Sequence, residues 1–175
     1  GINWVEGDAV VCNNTLSTNT VSATEAGTQS AQFSFDAVAY PYSVFYPAEY
    51  YTTSGSFRFH DNQPIVKNEV NHSLMAMAGY SSTNEVTLNN LCGVISIPVT
   101  NKYEGETIII EKIEVASAQG DPLAGKYHIN YRDGKVSAVS TKSSIVLTNG
   151  SADEDGVVIT PQETVRVSFV ASPGV

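Results

Sequence analysis

Apolar residues in this chain recur mostly at every second position, in short runs separated by Gly, Pro, Asn and Ser. That is the pattern of half-buried β-strands bounded by turns. The most pronounced run is Asn90–Val99. Read with period two, it places Leu91, Gly93, Ile95, Ile97 and Val99 on one face and Cys92, Val94, Ser96 and Pro98 on the other. Each large aliphatic on the first face contributes roughly 1.5–3 kcal/mol when buried, so this strand can anchor a sheet. Pro98 has no N–H to give to a ladder and demotes the last part of the strand to an edge, a bulge or an end. The expected packing sets Leu91, Ile95 and Ile97 against Trp4, Val10 and Phe33, with Cys92 as a buried thiol.

Other elements follow the same logic. Ile2–Val5 and Asp8–Cys12 read as two strand pieces broken at Glu6-Gly7, and Asn13–Ser30 as a polar surface loop or hairpin with at most one short strand around Val21. Ala31–Phe35 alternates cleanly. Tyr40–Pro47 packs aromatics between two prolines that bound an extended segment. Gly55–Phe59 is another short strand, and Gln63–His72 a loop or a turn of helix. Leu74–Tyr80 has helical propensity, but Gly79 and the polar run after it favour a strand entering a turn. Glu85–Leu88 leads into Asn90–Val99 as one bent strand or a hairpin. Thr107–Val115, apolar on both faces early and alternating later, predicts an interior strand that runs out to the rim. Ala124–Val139 is the clearest hairpin, because Asp133-Gly134 supplies the positive φ angles of a tight turn. Ile145–Leu147, Val157–Ile159 and Val165–Val170 complete the strands. The polar break at Thr100–Glu106 is the expected domain boundary.

Composition agrees with an all-β chain and narrows its partners. The 175 residues carry nine Lys+Arg against eighteen Asp+Glu, a formal net charge of −9, which disfavours nucleic acid or an anionic membrane surface as partner. No apolar run is long enough to cross a bilayer as a helix. The two cysteines, Cys12 and Cys92, exclude a disulfide scaffold, and their apolar surroundings favour free thiols over a bridge.

Candidate chemistry is sparse. His60, His72 and His128 occur in no metal-ligand spacing, and His60-Asp61, Glu111 and Glu114 are read as surface charges before acid–base groups. Ser151–Gly156 is an acidic run without the spacing of a Ca²⁺ loop, read as a solvated turn. No phosphate-binding loop, dinucleotide fingerprint or nucleophile elbow is present, so the expectation is a non-enzymatic protein with no cofactor and no metal. The tyrosines of the Tyr40–Tyr51 stretch have one functional reading: Tyr40, Tyr42, Tyr46 and Tyr50 as stacking surfaces for a glycan. Against it stands core packing, the commoner role of strand aromatics.

The order of several short motifs carries a resemblance. Trp4-Val5-Glu6-Gly7-Asp8, Phe45-Tyr46-Pro47-Ala48, Asn90–Ile95, Ile110–Val115, Leu123-Ala124-Gly125, Thr160-Pro161-Gln162-Glu163 and Ala171-Ser172-Pro173-Gly174 together resemble the fimbrillin-like surface proteins of Bacteroidetes. The resemblance implies two consecutive transthyretin-like β-sandwiches, here residues 1–102 and an incomplete second sandwich at 103–175. It also implies export to the cell surface, as part of the outer membrane or a fimbrium, through a lipid anchor absent from this chain. The implied function is adhesion or fimbrial (pilus) structure, with other pilus subunits or host and bacterial surface ligands as partners. Such subunits join by β-strand addition, in which main-chain hydrogen bonds give the affinity.

Overall fold

The computed structural model describes residues 2–149 and 156–173. The acidic run at 151–155 and the last two positions of the Pro173 turn therefore lie outside the described residues. The protein is all-β, with no α-helix among the described residues. Its strands are β1 (Val11–Cys12), β2 (Thr15–Leu16), β3 (Tyr42–Tyr46), β4 (Tyr51–Thr53), β5 (Ser56–Phe59), β6 (Asn62–Pro64), β7 (Met77–Ser81) and β8 (Asn89–Asn90). They continue with β9 (Gly93–Thr100), β10 (Ile108–Ile110), β11 (Lys112–Ala116), β12 (Ala124–Asn130), β13 (Lys135–Lys142), β14 (Ser144–Thr148), β15 (Val157–Ile159) and β16 (Thr164–Ala171). Two single 3₁₀ turns, Ala48–Tyr50 and His72–Leu74, complete the elements.

The chain divides into two compact units, but not at Thr100–Glu106. Unit 1 comprises Gly1–Arg58, His72–Cys92 and Lys126–Val139, and unit 2 comprises Phe59–Asn71, Gly93–Gly125 and Ser140–Val175. The expected consecutive domains are thus replaced by interleaved ones. A polar break marks where a chain turns, whereas a unit is set by which strands share a core.

In unit 1 the central sheet has the order β2-β1-β3-β7-β8, with β3 antiparallel to both β1 and β7. Alternation along β1 and β3 sends side chains to both faces. Phe45 points one way, 5.0 Å from Phe57 of β5, in the sheet β13-β12-β5-β4. Val10, Cys12, Val44, Tyr46 and Met77 form a buried cluster on the other face. Ile2, Trp4, Phe33, Phe35, Val38, Tyr42, Val86 and Leu88 pack partly buried against that cluster. The hairpin at Ala124–Val139 forms, but not through the expected two-residue turn: four residues, Tyr131 to Gly134, connect its strands, only Gly134 takes a positive φ (+67°), and the Gly134 N–H bonds the Asn130 carbonyl at 2.9 Å.

In unit 2, β9 pairs antiparallel with β16 over eight residues, from Gly93↔Ala171 to Thr100↔Thr164. The period-two reading of this strand holds in phase, since Ile95, Ile97 and Val99 are half-buried while Val94, Ser96 and Pro98 are exposed. Its expected partners do not hold. Ile95 and Ile97 face β16 neighbours in unit 2, whereas Trp4, Val10 and Phe33 belong to unit 1. Leu91 is buried as expected, but Cys92 is only half-buried. The apolar run at Thr107–Val115 is likewise not one interior strand. It breaks at Glu111 into β10, paired with β15, and β11, at the outside of the sheet β11-β14-β6. Ile109 is 51% exposed as a result.

Candidate functional site

Two strand-like segments of unit 1 lie over the buried cluster without joining a ladder. In Ala31–Asp36 burial alternates, with Phe33 and Phe35 turned inward and Gln32 and Ser34 outward. The outward residues spend their backbone groups on one side. The Asn19 side chain donates to the Gln32 carbonyl at 2.8 Å and accepts from the Ser34 N–H at 2.7 Å, while Gln32 N–H bonds Glu25 Oε1 at 2.9 Å and Thr18 N–H bonds the Ser34 carbonyl at 2.8 Å. A single amide side chain thus does there what a neighbouring strand would do. Those charge-assisted bonds from Gln32, and then from Ser22, hold the Glu25 carboxyl below its ordinary pKa.

In an extended segment the backbone groups of successive residues point to opposite sides. Ala31, Phe33 and Phe35 therefore direct their N–H and C=O groups away from Thr18 and Asn19, and among the described residues those groups have no hydrogen-bond partner. The second segment, Asn84–Leu88, turns Val86 and Leu88 inward and exposes Thr87. Val86 and Leu88 too have backbone groups with no partner among the described residues. This segment sits close on β7 because residue 79 is glycine: a Cβ there would come within 2.3 Å of the Thr87 carbonyl oxygen.

Between the two segments lies an open cleft. A cavity of about 490 Å³ is lined by Phe33, Phe35, Val86 and Leu88 at the sides and by Val10, Cys12 and Val44 beneath. A second cavity, of about 1110 Å³, adjoins residues 29–32 and 84–90 and reaches Met75 and Met77. Trp4, Ala31, Gln32, Asn84, Val86 and Leu88 line both. Trp4 is held edge-on to Phe33 and to Tyr46, with centroids 5.2 Å away in each case. Its N–H and C=O are tied to Thr28 and Gly27. The cleft thus has an apolar floor and, along the two segments that flank it, backbone groups without a partner among the described residues. These are the features of a β-sheet layer with one strand missing.

The tyrosines singled out from the sequence separate into two pairs. Tyr46 and Tyr50 are 4% and 6% exposed, so neither ring is available to a sugar, which corrects that half of the reading. Tyr46 donates its hydroxyl to Asp8 Oδ1 at 3.0 Å. Burial, and then the Asp8 carboxylate, push its pKa up. Burial does the same to Tyr50 in its 3₁₀ turn. Tyr40 and Tyr42 form a stacked pair, centroids 4.3 Å apart at 29°, with Tyr40 56% exposed. Sequence reasoning identified the ring-bearing stretch but not which rings the β3 register would turn inward.

Both cysteines are free thiols. Burial raises the pKa of Cys12 in the cleft floor and pushes Cys92 up to about 11, the latter partly offset by its contact with the Ala76 carbonyl. Both are protonated at neutral pH and are poor nucleophiles in that form. Asp61 is ion-paired with Lys142. Among the described residues no group of three or more His, Cys, Asp or Glu could hold a metal ion. Among the described residues no helix is long and apolar enough to cross a membrane. Comparison with known proteins finds no matching family model, no matching curated protein and no matching solved structure.

Proposed function

We propose that this protein is a non-enzymatic structural or adhesive subunit of a cell-surface assembly, a fimbrium or pilus, that joins its neighbours by β-strand addition. The observation that carries this reading is the cleft of unit 1, where two strand-like segments present unpaired backbone groups across an apolar floor. A strand entering between them would complete both rows of main-chain hydrogen bonds and cover Phe33, Phe35, Val86 and Leu88. Main-chain pairing gives the affinity and alternate side-chain pockets give the register. The motif order that resembles fimbrillin-like proteins, with their transthyretin-like sandwiches, points the same way, as does the acidic surface. On this reading the protein is exported and works outside the cell.

Trp4 is the only tryptophan in the chain and lines both cavities, so its fluorescence reports occupancy. A synthetic strand of alternating valine and threonine is expected to shift Trp4 emission saturably, and a peptide of the same composition with the alternation scrambled is not. Ala31→Arg, which puts bulk into the slot without removing a core side chain, is expected to abolish the response. Equal responses to both peptides, or none, would end this reading.

A second reading, a glycan-binding surface module, draws on the Tyr40–Tyr42 stack alone, because the exposed Tyr40 ring, backed by the half-buried Tyr42, suits a pyranose face. Binding on a glycan array that disappears in Tyr40→Ala would favour it, and binding that survives this change would remove it.

A further inference from the structure

Resting on the strand-addition reading, we infer that the strand accepted by the cleft belongs to a partner chain and bears a lysine or arginine at the end lying in the larger cavity, with alternating apolar side chains over the smaller one. The cleft is chemically polarised along its length. The smaller cavity is walled by Phe33, Phe35, Val38, Val86 and Leu88 and, among the described residues, has no carboxylate in its lining. The larger has two, Asp8 and Glu85, among the amides of Asn3, Gln29, Asn84 and Asn89. No Lys, Arg or His lines either cavity.

Among the described residues the carboxylates have no countercharge. Asp8 accepts the Val5 N–H at 2.8 Å and the Tyr46 hydroxyl at 3.0 Å, both neutral donors. Among the described residues neither Asp8 nor Glu85 is in an ion pair. An incoming cation therefore meets two uncompensated charges, while an acidic residue at the same place is repelled. The amides add neutral donors and acceptors that a strand end can use and that favour neither sign. A second copy of this chain, with a net charge of −9, meets overall like-charge repulsion, so the charge balance selects a different chain.

The test uses three alternating valine–threonine peptides that differ in one terminal residue, lysine, glutamine or glutamate, read by Trp4 fluorescence. The lysine peptide is expected to bind about fivefold more tightly than the glutamine one, the scale of a partly exposed ion pair, and the glutamate peptide most weakly. The preference should shrink in 0.5 M NaCl, where the Debye length falls to roughly 4 Å. It should shrink again in Glu85→Gln and in Asp8→Asn, which keeps an acceptor for the Val5 N–H. Equal affinities of the three peptides, or a lysine preference that survives both variants, would overturn the inference and leave strand addition standing. Failure of all three to bind would overturn both. Self-association of the wild-type protein that displaces the lysine peptide would assign the cleft to a second copy and overturn the choice of partner.

Discussion

The two units leave strand-like backbone unpaired in opposite ways. In unit 1 the open rows of Ala31–Phe35 and Val86–Leu88 flank a floor of Val10, Cys12, Val44, Tyr46 and Met77. A guest strand there gains hydrogen bonds and buries apolar surface together. In unit 2 the ladder of β9 and β16 has two edges, and both are treated differently. On the β16 side, the side-chain amide of Gln63 and the main-chain N–H and side-chain oxygen of Asn68 close it. Gln63 Nε2 donates to the Val170 carbonyl at 2.7 Å and Gln63 Oε1 accepts the Val170 N–H at 2.9 Å, while Asn68 N–H bonds the Arg166 carbonyl and Asn68 Oδ1 accepts the Arg166 N–H, both at 2.8 Å.

Those bonds also reveal the register of the far edge. Arg166 and Val170 turn their backbone groups away from β9, so their cross-strand partners Pro98 and Val94 turn theirs away from β16. The outward positions of β9 are therefore Val94, Ser96, Pro98 and Thr100. Among the described residues they have no partner. Pro98 falls at one of the outward positions, where the missing N–H interrupts any strand that tries to dock. Exposure of backbone alone does not make a docking site. The cleft joins it to an apolar floor, and β9 joins it to a proline.

The contrast can be tested at both of its unit 2 edges. The largest effect is expected from Gln63→Leu. It leaves the buried N–H and C=O of Val170 unpaired, at about 1–3 kcal/mol for each group, and should lower the urea midpoint without changing the response of Trp4 to the strand peptide at permissive urea. A midpoint within error of wild type would show that water replaces the amide and that the edge is not closed as described. A smaller effect on stability, below about 1 kcal/mol, is expected from Pro98→Thr. This change restores an N–H to the outer edge of β9 and should produce concentration-dependent association in sedimentation velocity. If Pro98→Thr remains as monomeric as wild type, the proline is not what keeps this edge unpaired.

Much of this architecture was legible along the chain. Strands within Tyr40–Pro47, towards the end of Leu74–Tyr80, within Ala124–Val139 and at Val165–Val170 followed from alternation and turn chemistry, and the inward phase of Ile95 and Ile97 was correct. Pro98 was expected at an edge, a bulge or a strand end, and of these it sits on an edge. The cleft was only half legible. Ala31–Phe35 and Glu85–Leu88 alternate as strands, and nothing in a single segment says that its neighbour is missing. Asn19, Gln63 and Asn68 look like ordinary polar loop residues, because their strand-replacing bonds reach across 13 to 107 positions.

By itself, then, the amino-acid sequence determined that the protein is all-β, where most strands run, and, for a strand with one clear apolar face such as β9, which side chains turn inward. Those properties are local: they depend on a two-residue period, on Gly and Pro backbone limits and on burial of one face. Only the tertiary structure decided that the units interleave, that Tyr46 and Tyr50 are buried while Tyr40 is exposed, and that one layer of unit 1 has a gap. Each of these depends on which strands find one another across long separations. A strand's own pattern specifies its buried face, but its lateral partners are chosen by the rest of the chain.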